Sequence, residues 1–229
     1  MLGLDSWVAG FSDGTTLLVV ALVAVVLGLR HATDPDHLAA VTTLLAGAEE
    51  RATRAAARLG FSWGLGHATS LFLFGVPIVL FKAYLPARVE QGAETAVGLM
   101  IVALAVWLLV RWRRGLFRVH AHPHGVAGTR RPVQAFGIGL VHGAGGSAGV
   151  GILLLAAIHD QLVALAALAI FATCTALSMA LLSTGFGRVL ASTPLRASFD
   201  RLAPALALLS LAFGAWYSLG ALDLAPYFF

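Results

Sequence analysis

Residues 17–47 read LLVVALVAVVLGLRHATDPDHLAAVTTLLAG. The run is apolar enough to enter a bilayer, yet its middle holds Arg30, His31, Asp34, Asp36 and His37. Residues 17–29 carry no charge, and neither do residues 38–47. A charged Arg or Asp at the centre of a membrane helix costs roughly 2.5–3.5 kcal/mol on insertion scales. Arg30, Asp34 and Asp36 together would cost about 9 kcal/mol if left unpaired. A chain retains such groups where they pair, move a proton or bind an ion. Imidazole and carboxylate together also suit a borderline divalent metal. The segment therefore points to a place, the bilayer midplane, and to a chemistry.

Composition agrees with the place. Of 229 residues, 59% are hydrophobic and 11% charged, and the mean hydropathy is +0.88. That apolar share is well above the soluble average, and a soluble fold of this length has no means of hiding it. The 25 glycines suit closely packed transmembrane helices. The expected class is all-α, a polytopic membrane protein forming a single domain over 1–229. The net charge is +4 and the sequence pI about 10, but the basic residues sit in short loops without interleaved aromatics, which argues against a nucleic-acid partner. Cys174 is the sole cysteine, so no intrachain disulfide can form, and in an apolar helix it reads as a small packing residue. The opening MLGLDSWVAGFSDG has no Lys or Arg, unlike a secretory signal, so the mature chain is expected to start near Met1.

Uncharged stretches near 20 residues mark spans. Six are expected, over about 15–47, 59–81, 93–110, 133–158, 162–186 and 204–222. The first is too long for one plain span and is interrupted by Pro35. Arg51, Arg54 and Arg58 follow the first span. Arg111, Arg113, Arg114, Arg118, Arg130 and Arg131 follow the third, and Arg188, Arg196 and Arg201 the fifth. The opposite side carries only Lys82 and Arg88. By the positive-inside rule the arginine-rich loops face the cytoplasm and both termini face out, in the cytoplasmic membrane.

Three spans followed by three give halves of opposite orientation. Gly28-Leu29-Arg30-His31-Ala32 echoes Gly139-Leu140-Val141-His142-Gly143, and residues 61–75 can be laid on 171–185. The expectation is two inverted repeats, 14–111 and 132–224, joined by a basic, histidine-containing cytoplasmic loop over 112–131. Inverted repeats place a site near the midplane, often on broken helices. Pro35 lacks an N–H, so the carbonyl of His31 is expected to lose its helical partner. Gly143-Ala144-Gly145-Gly146-Ser147-Ala148-Gly149 offers a second flexible segment.

His31, Asp34 and His37 are spaced i, i+3, i+6, within about 120° of one another on a continuous helix. Asp36 points elsewhere unless the helix bends, and Pro35 supplies a bend. Two carboxylates offset a divalent charge, and two imidazoles bias the choice toward nickel, cobalt or zinc. Alternatively Arg30 and Asp34, at i, i+4, simply pair, which leaves Asp36, His31 and His37 without a purpose. A lone histidine such as His67, in Gly64-Leu65-Gly66-His67-Ala68-Thr69-Ser70, is commonly a hydrogen-bonded packing residue. At bilayer depth beside the ligand-bearing helix it is read as a further ligand or as standing behind the ligands. For His142 ligation, support of a ligand and plain packing all remain open.

Arg30-His31-Ala32-Thr33-Asp34-Pro35-Asp36-His37, followed by LAAV, resembles the H-x4-D-H signature of the nickel/cobalt transporter (NiCoT) family of secondary permeases. GLGHATS resembles that family's second histidine motif. The resemblance is specific over about residues 25–75. It implies that His31, Asp36 and His37 select the metal with His67 as partner, and that the substrate is Ni²⁺ or Co²⁺ with no prosthetic group. The family's usual acidic motif in the second half is absent, since the corresponding helix reads LVHGAGGSAG. With six expected spans where eight are common, the chain is similar to the compact urease-accessory, nickel-permease-like branch.

His120, His122 and His124, in HAHPHG, form either a low-affinity loading patch or a solvated loop; a related exporter group has such a loop, which feeds an export alternative. His159 and Asp160 read as turn residues. Three rivals compete with a metal permease, the expected importer. An intramembrane serine hydrolase would use Ser147 in G-x-S-x-G, without the strand-turn-helix that a nucleophile elbow needs. An intramembrane metallohydrolase would use a His/Asp-bound zinc and its water, without an evident general base. A proton- or sodium-coupled carrier would take another substrate. No GxxxxGK[ST] sequence occurs, so transport by this chain is secondary or depends on a separate partner for ATP. The expected partners are a divalent transition-metal ion and membrane lipid.

Overall fold

A computed structural model describes residues 4–45, 52–81, 86–115, 131–145, 152 and 158–226. Among them the chain forms helices and no strand. In chain order these are α1 (Leu4–His31), α2 (Pro35–Leu45), α3 (Ala52–Phe81), α4 (Ala87–Arg113), α5 (Pro132–Ala144), α6 (Gln161–Ala191) and α7 (Thr193–Ala221). The helices α3, α4, α6 and α7 contain the apolar spans Arg54–Phe81, Ala87–Arg113, Gln161–Val189 and Asp200–Ala221. A fifth span results if Leu18–His31 and Pro35–Val41, bent by 49°, are taken as one. The protein is a multi-pass membrane protein.

Sequence reading expects a sixth span over 133–158. Here α5 has 13 residues, about 20 Å at 1.5 Å per residue, which is short of the hydrocarbon core. It stops at Gly145, whose backbone is extended. Four spans, or five with the bent pair, are counted among the described residues, and residues 146–151 and 153–157 of the expected sixth lie outside them. The start of α5 is well defined: Pro132 occupies the first turn, where its missing N–H costs nothing, and the Gln134 side chain accepts the Arg131 N–H at 3.0 Å. At the other expected turn, Asp160 caps α6 by accepting from the Leu162 and Val163 N–H groups at 2.8 and 3.1 Å.

The first span breaks where Pro35 predicts, but the His31 carbonyl is not left bare. Asp34 N–H donates to it at 3.1 Å, and Thr33 N–H donates to the Arg30 carbonyl at 2.8 Å. A tight turn thus replaces the missing helical bond, and α2 restarts with Leu38 N–H donating to the Asp34 carbonyl.

The principal helix contacts are α3 with α6, α3 with α5, α4 with α7 and α1 with α6. Glycine sets the closest of them. A Cβ on Gly139 of α5 would collide with the Trp63 carbonyl of α3, and one on Gly66 of α3 with the Phe136 carbonyl of α5. Gly143 would meet the His67 carbonyl at 2.5 Å. Gly139 and Gly143 form the small-xxx-small spacing that lets membrane helices touch backbone to backbone. Two hydroxyls reinforce the seam, Ser62 Oγ donating to the Pro132 carbonyl at 2.5 Å and Ser70 Oγ to the Leu140 carbonyl at 2.6 Å. The outer faces expose Leu22, Phe61, Leu73, Phe81, Leu181 and Leu209, as lipid-facing surfaces do and soluble monomers rarely do.

Gly139→Ala is expected to lower the thermal stability of the detergent-solubilised protein, at an overpacking cost of about 1–3 kcal/mol. The obstacle is a backbone oxygen, which no rotamer change can clear. A melting curve matching wild type would contradict the seam.

Candidate metal centre

Four histidines and one aspartate from α1, α2, α3 and α5 meet in the interior. His31, Asp36, His37, His67 and His142 are all buried, His67 and His142 completely. Each has a local reason for being there. His31 ends α1, and the 49° bend after it turns the first turn of α2 inward, carrying Asp36 and His37 with it. His67 lies mid-α3, just after Gly64, which abuts Ala176, and Gly66, which abuts α5. His142 is in the last turn of α5, one residue before Gly143, so the glycine that admits the α3 backbone also brings the imidazole to the cluster.

The carboxylate of Asp36 organises one side. Its Oδ1 accepts from the His37 backbone N–H at 2.9 Å and lies 3.1 Å from His37 Nδ1. Its Oδ2 lies 3.1 Å from His142 Nε2. If Asp36 accepts at each contact, His37 carries its proton on Nδ1 and His142 on Nε2, by the donor–acceptor chemistry of neutral imidazole. His37 Nε2 and His142 Nδ1 then present lone pairs, and both atoms are buried without a hydrogen-bond partner. On the other side His31 Nε2 lies 2.9 Å from His67 Nε2. The rings crowd together, with centroids 4.1 Å apart for His37 and His142, 4.6 Å for His31 and His37, and 5.0 Å for His31 and His67.

Donor atoms fall into two sets, each within 4.8 Å: His31, His37 and His67, and Asp36, His37 and His142. Buried lone pairs with no partner are costly unless something fills the space between them. Neutral imidazoles with a carboxylate suit a borderline divalent cation.

Asp34 stands apart from both sets. It lies in the turn, 3.4 Å from His31 Nδ1 and 3.9 Å from Arg30, whose side chain is 74% exposed. The i, i+4 pairing of Arg30 and Asp34 is thus present, at a separation too long for a hydrogen bond. His120, His122, His124 and Ser147 lie outside the described residues. Sequence reading gave no role to two aromatic walls. Trp63 packs 5.6 Å from both His37 and His142, and Phe171 packs 5.7 Å from His31. Trp63 precedes His67 by one helical turn, and that spacing was a usable signal; Phe171 offered none.

The family profile described as high-affinity nickel-transport protein matches residues 17–130, which take in α1 from Leu17 onward and all of α2, α3 and α4. Over that stretch the chain is similar to the nickel/cobalt transporter superfamily. It is 27% identical to the urease accessory protein UreH of a Bacillus species over 186 residues, covering 76% of this chain and 79% of that protein. It is 34% identical to the high-affinity nickel transport protein of Cupriavidus necator over 100 residues, which is 44% of this chain but 28% of the relative. A Methanocaldococcus jannaschii protein, provisionally described as a nickel/cobalt efflux system, is 27% identical over 173 residues, 74% of this chain and 76% of its own length. No solved structure matches the chain significantly.

Asp36→Asn is expected to keep near-wild-type thermal stability. The amide can still accept from His37, and His142 can move its proton to the unpartnered Nδ1 and accept from the new NH₂. Asp36→Leu strands three N–H groups and should melt markedly earlier, at about 1–3 kcal/mol for each. Equal melting of the two variants would contradict the hydrogen-bond assignment.

Proposed function

We propose that the chain is a secondary permease that carries Ni²⁺ or Co²⁺ across the cytoplasmic membrane, in the direction of uptake. The observation that carries this reading is the buried cluster of four imidazoles and a carboxylate at the break in the first span of a chain from a family of transporters. That family sets the hydrolase readings aside. His31, Asp36, His37 and His67 grip the ion, with Asp34 at the edge of the site and His142 entering from the second half.

Two inverted repeats support the transport cycle. Exchanging α1 with α5, α3 with α6 and α4 with α7 turns the α1–α6 contact into α5–α3 and maps α3–α6 and α4–α7 onto themselves. A pseudo-twofold arrangement has this pattern, and it puts the cluster where the halves meet, as in other transporters built from repeats. Both termini then lie outside and the arginine-rich loops inside. The cytoplasmic His120, His122 and His124 receive the ion on release. Export is the second reading, favoured by the description of the M. jannaschii relative.

Binding needs neutral imidazoles and an ionised carboxylate. Protons therefore compete with the metal, and affinity falls as pH falls.

Cells producing the protein are expected to accumulate radiolabelled nickel in competition with cobalt. Asp36→Asn should reach the membrane in normal amount yet lose accumulation. Joint substitution of His120, His122 and His124 should slow uptake without abolishing it. Normal uptake by Asp36→Asn or His37→Ala would refute the site.

A further inference from the structure

The cluster holds more donors than one position uses. Its two sets share only His37, and two donors on one ion at about 2.1 Å stand at most about 4.2 Å apart. They also differ in origin. His31, His37 and His67 come from α1, α2 and α3, all within the family match. The second set needs His142 from α5, beyond that match.

We propose, resting on the permease reading, that His142 builds a second coordination position, and that the ion passes between His31/His37/His67 and Asp36/His37/His142 with His37 as the shared ligand. Three observations support this. His142 is completely buried with Nδ1 unpartnered. Its Nε2 is held 3.1 Å from Asp36 Oδ2, so its ring and a carboxylate oxygen are already side by side. His37 and His142 are the closest ring pair of the cluster at 4.1 Å.

The chemistry balances without an outside proton acceptor. The second position takes His142 as its Nδ1–H tautomer, which frees the Nε2 lone pair for the ion; the two neutral tautomers carry the same number of protons, so none is gained or lost. His31 and His67 are exchanged for Asp36 and His142 while His37 stays bound, so the ion is never bare. The positions differ in charge. Three neutral imidazoles leave the full +2, whereas the second set leaves +1. Passage through a site requires binding that is firm enough to admit the ion and divided enough to release it.

The test uses the full-length protein with Co²⁺ and Ni²⁺ as probes. His142→Gln can keep a hydrogen bond to Asp36 but offers no imidazole. It should leave the half-saturating Co²⁺ concentration within about threefold of wild type and lower the maximal uptake rate about tenfold or more, the split seen when an interaction made after binding is lost. His67→Ala removes the first position, so Ni²⁺ bound to the purified variant should show a carboxylate oxygen beside imidazoles in X-ray absorption. Wild-type transport by His142→Gln would reduce His142 to a hydrogen-bonded packing residue and overturn the proposal. Parallel loss of affinity and rate would mean one common position and overturn it too. Bound nickel without an oxygen ligand in His67→Ala overturns it even where His142→Gln does not fold. Failure of the wild type to take up either metal would sink the permease reading instead, with the absorption measurement still deciding whether two positions exist.

Discussion

A carboxylate buried among apolar helices has to be given N–H donors, and the arrangement around Asp36 follows from that demand. Its own helix supplies two, the backbone and ring of His37. The third comes from His142 on α5. An unbroken first helix would turn Asp36 away from His31, so the turn at Thr33 and Asp34 is a condition of the site as well as a consequence of Pro35. Bringing His142 within 3.1 Å needs α5 pressed against α3, and that approach exists because Gly66, Gly139 and Gly143 carry no side chain. The loss of one helical hydrogen bond and the use of three glycines thus serve a single polar contact.

Much of this was legible in the sequence, for identifiable reasons. Charge inside an apolar run is conspicuous, so residues 30–37 mark themselves, and the Pro35 bend follows from the missing N–H. The spans in α3, α4, α6 and α7 follow from uninterrupted hydropathy. Other features were not legible. In a membrane helix every face is apolar, so composition does not say which face meets which neighbour. Phe61 and Phe171 occupy matching places in the proposed repeat, yet Phe61 is 50% exposed and Phe171 is 1% exposed against the cluster. The glycine run 143–149 marked a second break, and α5 ends within it at Gly145, although hydropathy alone carried the expected span on to 158. The role of His142 stayed open because it depends on Asp36, 106 residues away. The capture of the His31 carbonyl by Asp34 N–H depends on turn geometry that a helix-breaking rule does not supply.

The helix contacts also locate where the site can loosen. One group, α1, α3, α5 and α6, is bound closely through α3 and α6, and α4 pairs closely with α7. Helix α2 has thinner contacts with α4, α6 and α7, and it is only 11 residues long. The donors divide along this boundary. His31, His67 and His142 belong to the first group, whereas Asp36 and His37 ride on α2. Ala40 and Val41 of α2 meet Trp63, Ala135 and Met179 across it, in an apolar cluster of mostly small or flexible side chains. Such a contact gives α2 less to hold it than the glycine seam gives α5. A shift of α2 against α3 changes the distance from His37 to both donor sets together, while the His67 and His142 backbones remain fixed to one another through Gly143. Under the proposed two-position passage, the closely packed group would hold the imidazoles that the ion is exchanged between, and α2 the ligand that accompanies it.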